Sequence, residues 1–584
     1  MWQFIKYTFA TLFALTIFVL GGFLILVIVA SAGDAPVNVE SNSILKLNFD
    51  KPITEISHAN PLEELNLPMG GQKESHGLVD IKKAIEAAKT DKNIKGIYLQ
   101  LSSVKAGFAS LQEIRNALVD FKKSGKFIYA SGESFSEGAY YMASVANKIY
   151  LAPEGLLEFN GIGTQMLYFK NLFEKLEIKP EVFKVGDYKS AVEPFLLDKM
   201  SDHNRNQLDT LLGGIYQTML HDISLSRQLP VGQLRKISDS MFVHNANDAL
   251  RFKLITNLGY FDQLEDELKK KVGIHGTTAK LKYVQLDNYL KSIPENSDNE
   301  DKQVAVIVAS GEIHQGNNGD DKIGSSEVCA QLRKARTDPK IKSIVLRINS
   351  PGGSALASDL MWREIMITKK VKPVIASMSD MAASGGYYMA MACDRIIAQP
   401  TTITGSIGVF GLMFNIKNTL SNKLGITVDG YNTGKFSDVG SATRELTDYE
   451  RRIIQLEVEN TYDAFLNKAA QGRKVNKEAI RKVAGGRVWT GDQAKANGLV
   501  DEIGGLQLAI DIAANKAKLG KAYSVTYIPE EKSWIESIMG DKSENEAKVM
   551  ASELGELYPY FKTLQKLNQM KGVQARAPFE LVIE

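Results

Sequence analysis

The sequence predicts an α/β protein built from two tandem copies of one unit, each with a mostly parallel sheet, behind an apolar N-terminal helix. Three observations carry that prediction. The chain repeats itself, its apolar segments alternate between strand and helix spacing, and residues 9–32 carry no charge.

The repeat is clearest around two tyrosine pairs. From Lys126 the chain reads KFIYASGESFSEGAYYMASVANKIYLAP, and from Lys372 it reads KPVIASMSDMAASGGYYMAMACDRIIAQP. Laying Tyr140-Tyr141 on Tyr387-Tyr388 sets an offset of 247 residues, which also brings DKNIKG (from Asp91) onto DPKIKS (from Asp338). Residues 242–259 resemble 488–504 in the same way. A chain of 584 residues has room for two large domains, and the repeat supplies the division.

The uncharged run over 9–32 is 24 residues long, enough for a helix to cross a bilayer. Lys6 and the terminal amine precede it, so residues 1–8 are expected in the cytoplasm and everything after Asp34 outside. Ala30-Ser31-Ala32 also reads as a signal-peptide cleavage site. The run exceeds the usual apolar core of a signal peptide, so an uncleaved anchor is the expectation. Either reading exports the remaining chain to the outer side of the cytoplasmic membrane.

Each copy then opens on a strand (44–49; 304–308), followed by a helix (79–90; 326–337) and a second strand (94–101; 341–348). A further helix and strand follow (127–131; 374–377). Strands alternating with helices of ten to fifteen residues make right-handed crossover units. The strands are almost continuously apolar, as when helices cover both faces of a parallel sheet. The expected boundaries are 43–291 for the first domain, 292–303 for a polar linker and 304–528 for the second domain. The tail over 529–584 has no counterpart in the repeat and no assigned role.

Composition narrows the chemistry. A net charge of +2 leaves no basic surface that asks for nucleic acid. The two cysteines, Cys329 and Cys393, lie in apolar helical contexts and read as small buried residues, with pairing left open. The seven histidines (His58, His76, His203, His221, His244, His275 and His314) form no triad or H-E-x-x-H motif, so neither a metal nor another cofactor is expected.

Four short segments remain. Asn349-Ser350-Pro351-Gly352-Gly353-Ser354 follows a strand and precedes a helix. Glycines there let backbone N–H groups approach an anion, although such turns are also ordinary structure. Ser384, within Met381-Ala382-Ala383-Ser384-Gly385-Gly386, starts a helix expected to run to about Cys393. Its hydroxyl either caps that helix or stands as a nucleophile beside the Gly385 N–H. The repeat places Glu137 opposite Ser384. Further on, 186–190 falls on 434–438, so Lys189 faces Ser437. One copy therefore has the serine without a lysine, and the other the lysine without a serine. Burial would make Lys189 a neutral base able to take the serine proton. Ser406, opposite Phe159, is placed to orient that amine or simply to form a turn.

In a duplicated chain behind an anchor, SPGGS, MAASGGYY, TGSIGVFG and GDYKSAVEPF resemble the long form of the bacterial signal peptide peptidase SppA family. The resemblance covers about residues 43–528. It implies two ClpP/crotonase-like domains of ββα units. It also implies Ser384 as nucleophile, Lys189 as general base and Ser406 as the lysine-orienting residue, with Gly352, Gly353 and Gly385 around the oxyanion. A homotetramer on the outer membrane face and hydrophobic peptides such as signal-peptide remnants as substrates belong to the same implication. A dyad split between copies must close at an interface, within one chain or between chains, and head-to-tail copies point to a ring. Two other functions stay open: a crotonase-type acyl-CoA enzyme, and an inactive ring-forming membrane scaffold.

Overall fold

The computed structural model describes residues 2–32, 38–57, 75–274, 280–294, 301–317, 322–528 and 572–577. The segment Trp2–Ala32 is one helix, with side chains described only as far as Gly21. Among the described residues, no helix is long and apolar enough to cross a membrane.

Each copy forms its own parallel sheet. The first runs in the order Asn257–Leu258, Lys148–Leu151, Phe127–Gly132, Ile94–Gln100, Ser43–Asn48, Tyr283–Gln285, every neighbour parallel. The second centres on Gln303–Ser310, Ile341–Ser350 and Val374–Ala383, again parallel, with Val488–Thr490 pairing antiparallel to Ile403–Gly405 at one edge. Helices Leu78–Thr90 and Phe108–Lys122 in the first copy correspond to Ser325–Thr337 and Ala355–Thr368 in the second. The Ile341–Ser350 strand is buried almost throughout, which explains why its apolar run hardly alternates. Ile97, Leu99 and Ile128 share one core with Leu111, Ile114 and Tyr140; Leu346, Ile348 and Ala376 share another with Val328, Met361 and Tyr387.

A third sheet joins the copies. Its order is Lys322–Gly324, Glu312–His314, Gly352–Ser354, Val573–Arg576, Phe410–Asn415, Lys179–Lys184. The last two strands come from different copies and pair antiparallel from Phe410 opposite Lys184 to Asn415 opposite Lys179. Phe173, Val192, Phe195, Phe410 and Leu412 pack together as a small core beneath that pairing.

The two copies also meet along a buried polar seam. The Arg347 guanidinium, from the second copy, lies 2.8 Å from Glu55 and 2.8 Å from Glu113, both from the first. Its remaining N–H groups donate to Ser377 Oγ and Ser379 Oγ, each at 3.0 Å. Although burial opposes its ionisation, the charges of Arg347 and Lys82 hold the Glu113 carboxyl at about 2. Close by, the Asp380 carboxylate accepts from Ser110 N–H at 2.8 Å and Ser110 Oγ at 2.6 Å, at the start of helix Phe108–Lys122.

Several expectations are corrected. Gly352 and Gly353 do not form a simple turn; with Ser354 they make a strand of the third sheet. The helix after Ser384 is Gly385–Ala390, so it ends before Cys393. Cys329 and Cys393 are unpaired. The tail is not wholly without a place, because Val573–Arg576 is a strand between Gly352–Ser354 and Phe410–Asn415. Residues 295–300 of the linker and most of the tail lie outside the described residues.

Replacing Arg347 by methionine leaves two buried carboxylates facing each other. Arg347→Met is expected to cost about 3–5 kcal/mol in denaturant unfolding near neutral pH. Glu113 titrates lower folded than unfolded, so its contribution is present above the ordinary carboxylate range and lost as pH falls toward 2. That acid-side loss should be smaller in Arg347→Met.

Candidate active site

Ser384 sits where strand Val374–Ala383 ends and helix Gly385–Ala390 begins. Its backbone takes φ 53° and ψ −107°, a region that non-glycine residues avoid. Two bonds hold it there: Ser384 N–H donates to Gly405 O at 2.8 Å, and Tyr388 N–H donates to Ser384 O at 2.8 Å. The hydroxyl makes no helix cap. It donates instead to Gly408 O at 3.3 Å and lies 2.9 Å from Lys189 Nζ.

Lys189 follows the strand Lys179–Lys184, whose cross-copy pairing carries it to the second copy. The backbone approaches through a glycine pair: Tyr188 N–H donates to Gly485 O at 3.1 Å, and a Cβ on Gly486 would lie 2.6 Å from Lys189 N. The amine donates to Ser406 Oγ at 3.0 Å and to Ser406 O at 3.3 Å. Burial alone pushes the Lys189 amine well below the ordinary lysine value. A neutral amine has two N–H groups and one lone pair. With Ser406 engaging the N–H groups, the lone pair can take the Ser384 proton once that hydroxyl turns away from Gly408 O.

Ser406 is held by its own N–H, which donates to Arg487 O at 2.7 Å, and it too has positive φ, at 50°. Ser384, Lys189 and Ser406 are all fully buried. Among the described residues, the hydrogen-bond partners of these three side chains are one another and the carbonyls of Ser406 and Gly408. No group of three or more His, Cys, Asp or Glu among the described residues is placed to hold a metal ion.

The three glycines also converge. A Cβ on Gly352 would fall 2.8 Å from Gly385 N, so no larger residue fits beside that amide. Gly385 is the first residue of its helix, and its N–H has no acceptor within the helix. Gly352 differs, since its N–H donates to Ser350 Oγ at 3.1 Å. Gly405 and Gly408, although inside the TGSIGVFG motif, were given no role of their own, and Gly486 was not singled out, yet all three shape the site. Their only signal was that they are glycines, which are too common to choose among.

The mirror positions are filled differently. Glu137 is buried and accepts from Gly161 N–H at 2.9 Å and Asn160 N–H at 3.3 Å. Burial pushes its carboxyl up to about 7, against the pull of those two amides. Ser437 is exposed, its hydroxyl turned back to Gly434 O at 2.8 Å. The chain thus brings together one serine and one lysine, with neither motif repeated at the other end.

A serine peptidase of two fused α/β units is the class that this fold and its kin define. The model of peptidase family S49 matches twice, at residues 120–275 and 366–520, and the Clp protease model matches 295–403. The chain belongs to peptidase family S49. It is 39% identical to Protease 4 of Salmonella typhi over 80% of this chain and 76% of that one. Protease 4 of Haemophilus influenzae is 32% identical over 94% and 92% of the two chains. The chloroplastic serine protease SPPA of Arabidopsis thaliana is 35% identical over 76% and 66%.

Glu137→Gln removes a buried charge while keeping the acceptor oxygen. Because the folded protein raises this pKa, wild-type stability is complete below the ordinary glutamate value and declines as pH rises through about 7. The variant should therefore unfold at a higher temperature than wild type at pH 8, by up to about 3 kcal/mol, with the gap closing near pH 5. Equal melting at both pH values would contradict the assignment.

Proposed function

We propose that the chain is a membrane-anchored endopeptidase in which Ser384 attacks the peptide carbonyl and Lys189 takes its proton. The observation that carries this reading is the fully buried amine lying 2.9 Å from Ser384 Oγ and 3.0 Å from Ser406 Oγ. Attack forms the C–O bond to Ser384 and places negative charge on the carbonyl oxygen. The Gly385 N–H, with the Gly352-Gly353 backbone beside it, stabilises that charge. Protonated Lys189 then returns the proton to the leaving amine, and Ser406 keeps the amine aimed. Water attacks the acyl-enzyme with Lys189 again as base.

Hydrophobic peptides such as signal-peptide remnants, bound as extended strands, suit this machinery, and the reading rests on the motif resemblance. Anchoring through residues 9–32, with the domains on the outer face, is supported by the uncharged run and by its apolar surface. Phe9, Leu12, Phe13, Leu15, Ile17 and Phe18 are all exposed along the helix, which no soluble surface favours.

A head-to-tail ring, such as a tetramer, remains part of the proposal, on a different ground from the split dyad, which closes within one chain. By the repeat, the stretch ending at 434–438 corresponds to the one that pairs Lys179–Lys184 with the other copy. Here Ile426, Val428 and Tyr431 are exposed, Tyr431 by 93%. A second copy that paired with this stretch would repeat the contact already made inside the chain.

The test is hydrolysis of a fluorogenic hydrophobic peptide by the full chain in detergent, with fluorophosphonate labelling of Ser384. Ser384→Ala and Lys189→Met should each lower kcat/KM by at least about 10²–10⁴-fold. Unchanged hydrolysis in either variant would refute the dyad. The amine must be neutral to act, so wild-type kcat/KM should fall as pH drops through the depressed Lys189 pKa. Lys189→Met should also melt higher than wild type near neutral pH, because it no longer buries an amine that favours protonation when unfolded.

A further inference from the structure

Lys189 occupies the centre of a tight turn. Its φ of −78° and ψ of 69°, with Ser190 N–H donating to Tyr188 O at 2.8 Å, make an inverse γ-turn. A single hydrogen bond closes such a turn. The direction of the lysine stem therefore depends on how the two ends, Tyr188 and Ser190, are held.

The end after the base is held by Gln207, on helix Asp202–Arg227 of the first copy. Its amide is buried, donates to Ser190 Oγ at 3.4 Å and accepts from Val488 N–H at 2.9 Å. The end before the base meets Arg487. The Tyr188 ring centroid lies 5.0 Å from the guanidinium carbon, and the Trp489 ring lies 4.3 Å from the same carbon. Trp489 is a fixed platform, since its indole N–H donates to Val483 O at 3.0 Å and its backbone stands opposite Thr404 in the sheet. A planar, weakly hydrated cation suits a place against two rings. Tyr188 comes from the first copy and Trp489 from the second, so the half-buried Arg487 side chain spans the same boundary as the dyad.

The main chain of Arg487 acts on the other neighbour of the amine. Arg487 O accepts from Ser406 N–H at 2.7 Å, and Gly486 N–H donates to Ile407 O at 2.9 Å. One residue thus grips Ser406 through its carbonyl and Tyr188 through its side chain, and the Lys189 amine lies between what they hold. Among the described residues, the guanidinium makes no hydrogen bond to Ser384, Lys189 or Ser406. Its effect on the chemistry must pass through Tyr188 and the turn.

We propose that Arg487 is the positioning residue of the general base, pinning Tyr188 and Ser406 together so that the Lys189 amine meets both serines. The proposal rests on the peptidase reading of Ser384 and Lys189 and adds a residue on which that reading depends. Without the guanidinium, Tyr188 loses one wall, the turn loosens and water reaches the lysine stem. The amine then spends less time in line with Ser384 Oγ, and burial depresses its basicity less.

Kinetics of the full chain in detergent, with a fluorogenic hydrophobic peptide, provide the test. Arg487→Met keeps an unbranched stem and removes the cation. Its kcat should fall about tenfold with KM unchanged, which corresponds to about 1.4 kcal/mol of barrier. The base must be neutral to act, so the acid limb of kcat/KM should move to higher pH and the deficit should narrow in alkaline buffer. Arg487→Lys keeps a cation beside the rings and should recover part of the loss. Tyr188→Leu should reproduce the Arg487→Met profile, and the double variant should be no slower than the slower single one, because both remove the same contact. The other ionisable groups around the turn are His203, whose ring meets Tyr188 edge-on at 5.2 Å, the exposed Asp187, and Tyr462, whose Oη accepts from Gly485 N–H at 3.2 Å. The acid-limb shift should persist in a His203→Gln background, where that ring edge is gone.

If Arg487→Met cleaves as the wild type does, or raises KM with kcat and the acid limb unmoved, Arg487 does not position the base and the dyad stands. A fall in kcat and in melting temperature with the acid limb in place makes the residue a support of the fold only, and the proposal is equally wrong. Additive losses in the double variant, or a shift that vanishes in His203→Gln, also overturn it. If the wild type neither cleaves peptides nor reacts with fluorophosphonate at Ser384, the peptidase reading fails and takes this proposal with it.

Discussion

The site depends on one backbone pairing, that of Lys179–Lys184 with Phe410–Asn415. Six residue pairs in register fix both the direction and the reach of the chain from the first copy. Lys189 comes only five residues after Lys184. A slip of one residue would turn Phe183 out of the second core and Val182 out of the small core beside it, so the apolar faces enforce the register. Once the register holds, the Gly485-Gly486 turn admits the Lys189 backbone, and the amine arrives between Ser384 and Ser406 without any freedom left to search.

Electrostatics at the seam and at the site work in opposite senses. Around Arg347, the two carboxylates and the seryl hydroxyls match a buried charge, so the ionised forms persist. Among the described residues, no carboxylate acts on Lys189, and the surrounding hydroxyls and carbonyls suit a neutral amine. The first copy shows the same rule at Glu137, where two backbone amides do not fully offset burial. Its carboxylate stands at the position that mirrors Ser384.

Much was legible in the residues because it was local. The repeat, the alternation of strand and helix and the near-continuous apolar strands announced two parallel α/β units, since period and burial are written in consecutive positions. The complementary pattern of Ser384 against Glu137, and of Lys189 against Ser437, drew attention to these two residues out of many serines and lysines. Other features were not legible because they depend on distant partners. Gly352 and Gly353 read as a turn but form a strand, since what pairs with them lies more than two hundred residues away at Val573–Arg576. Helix capping by Ser384 was a fair local expectation. It gives way because Gly405 O holds the serine N–H and draws the backbone into positive φ.

The sequence by itself determined the two units, the uncharged run at the N-terminus and the small set of residues with chemistry to offer, because those follow from spacing and side-chain type. Only the tertiary structure decided that the lysine and serine of one chain meet, that the amine is stripped of water, and that the C-terminal strand lies against the glycines. Those outcomes follow from hydrogen bonds and burial between segments far apart in the chain, and no local pattern records which distant edge a strand will join.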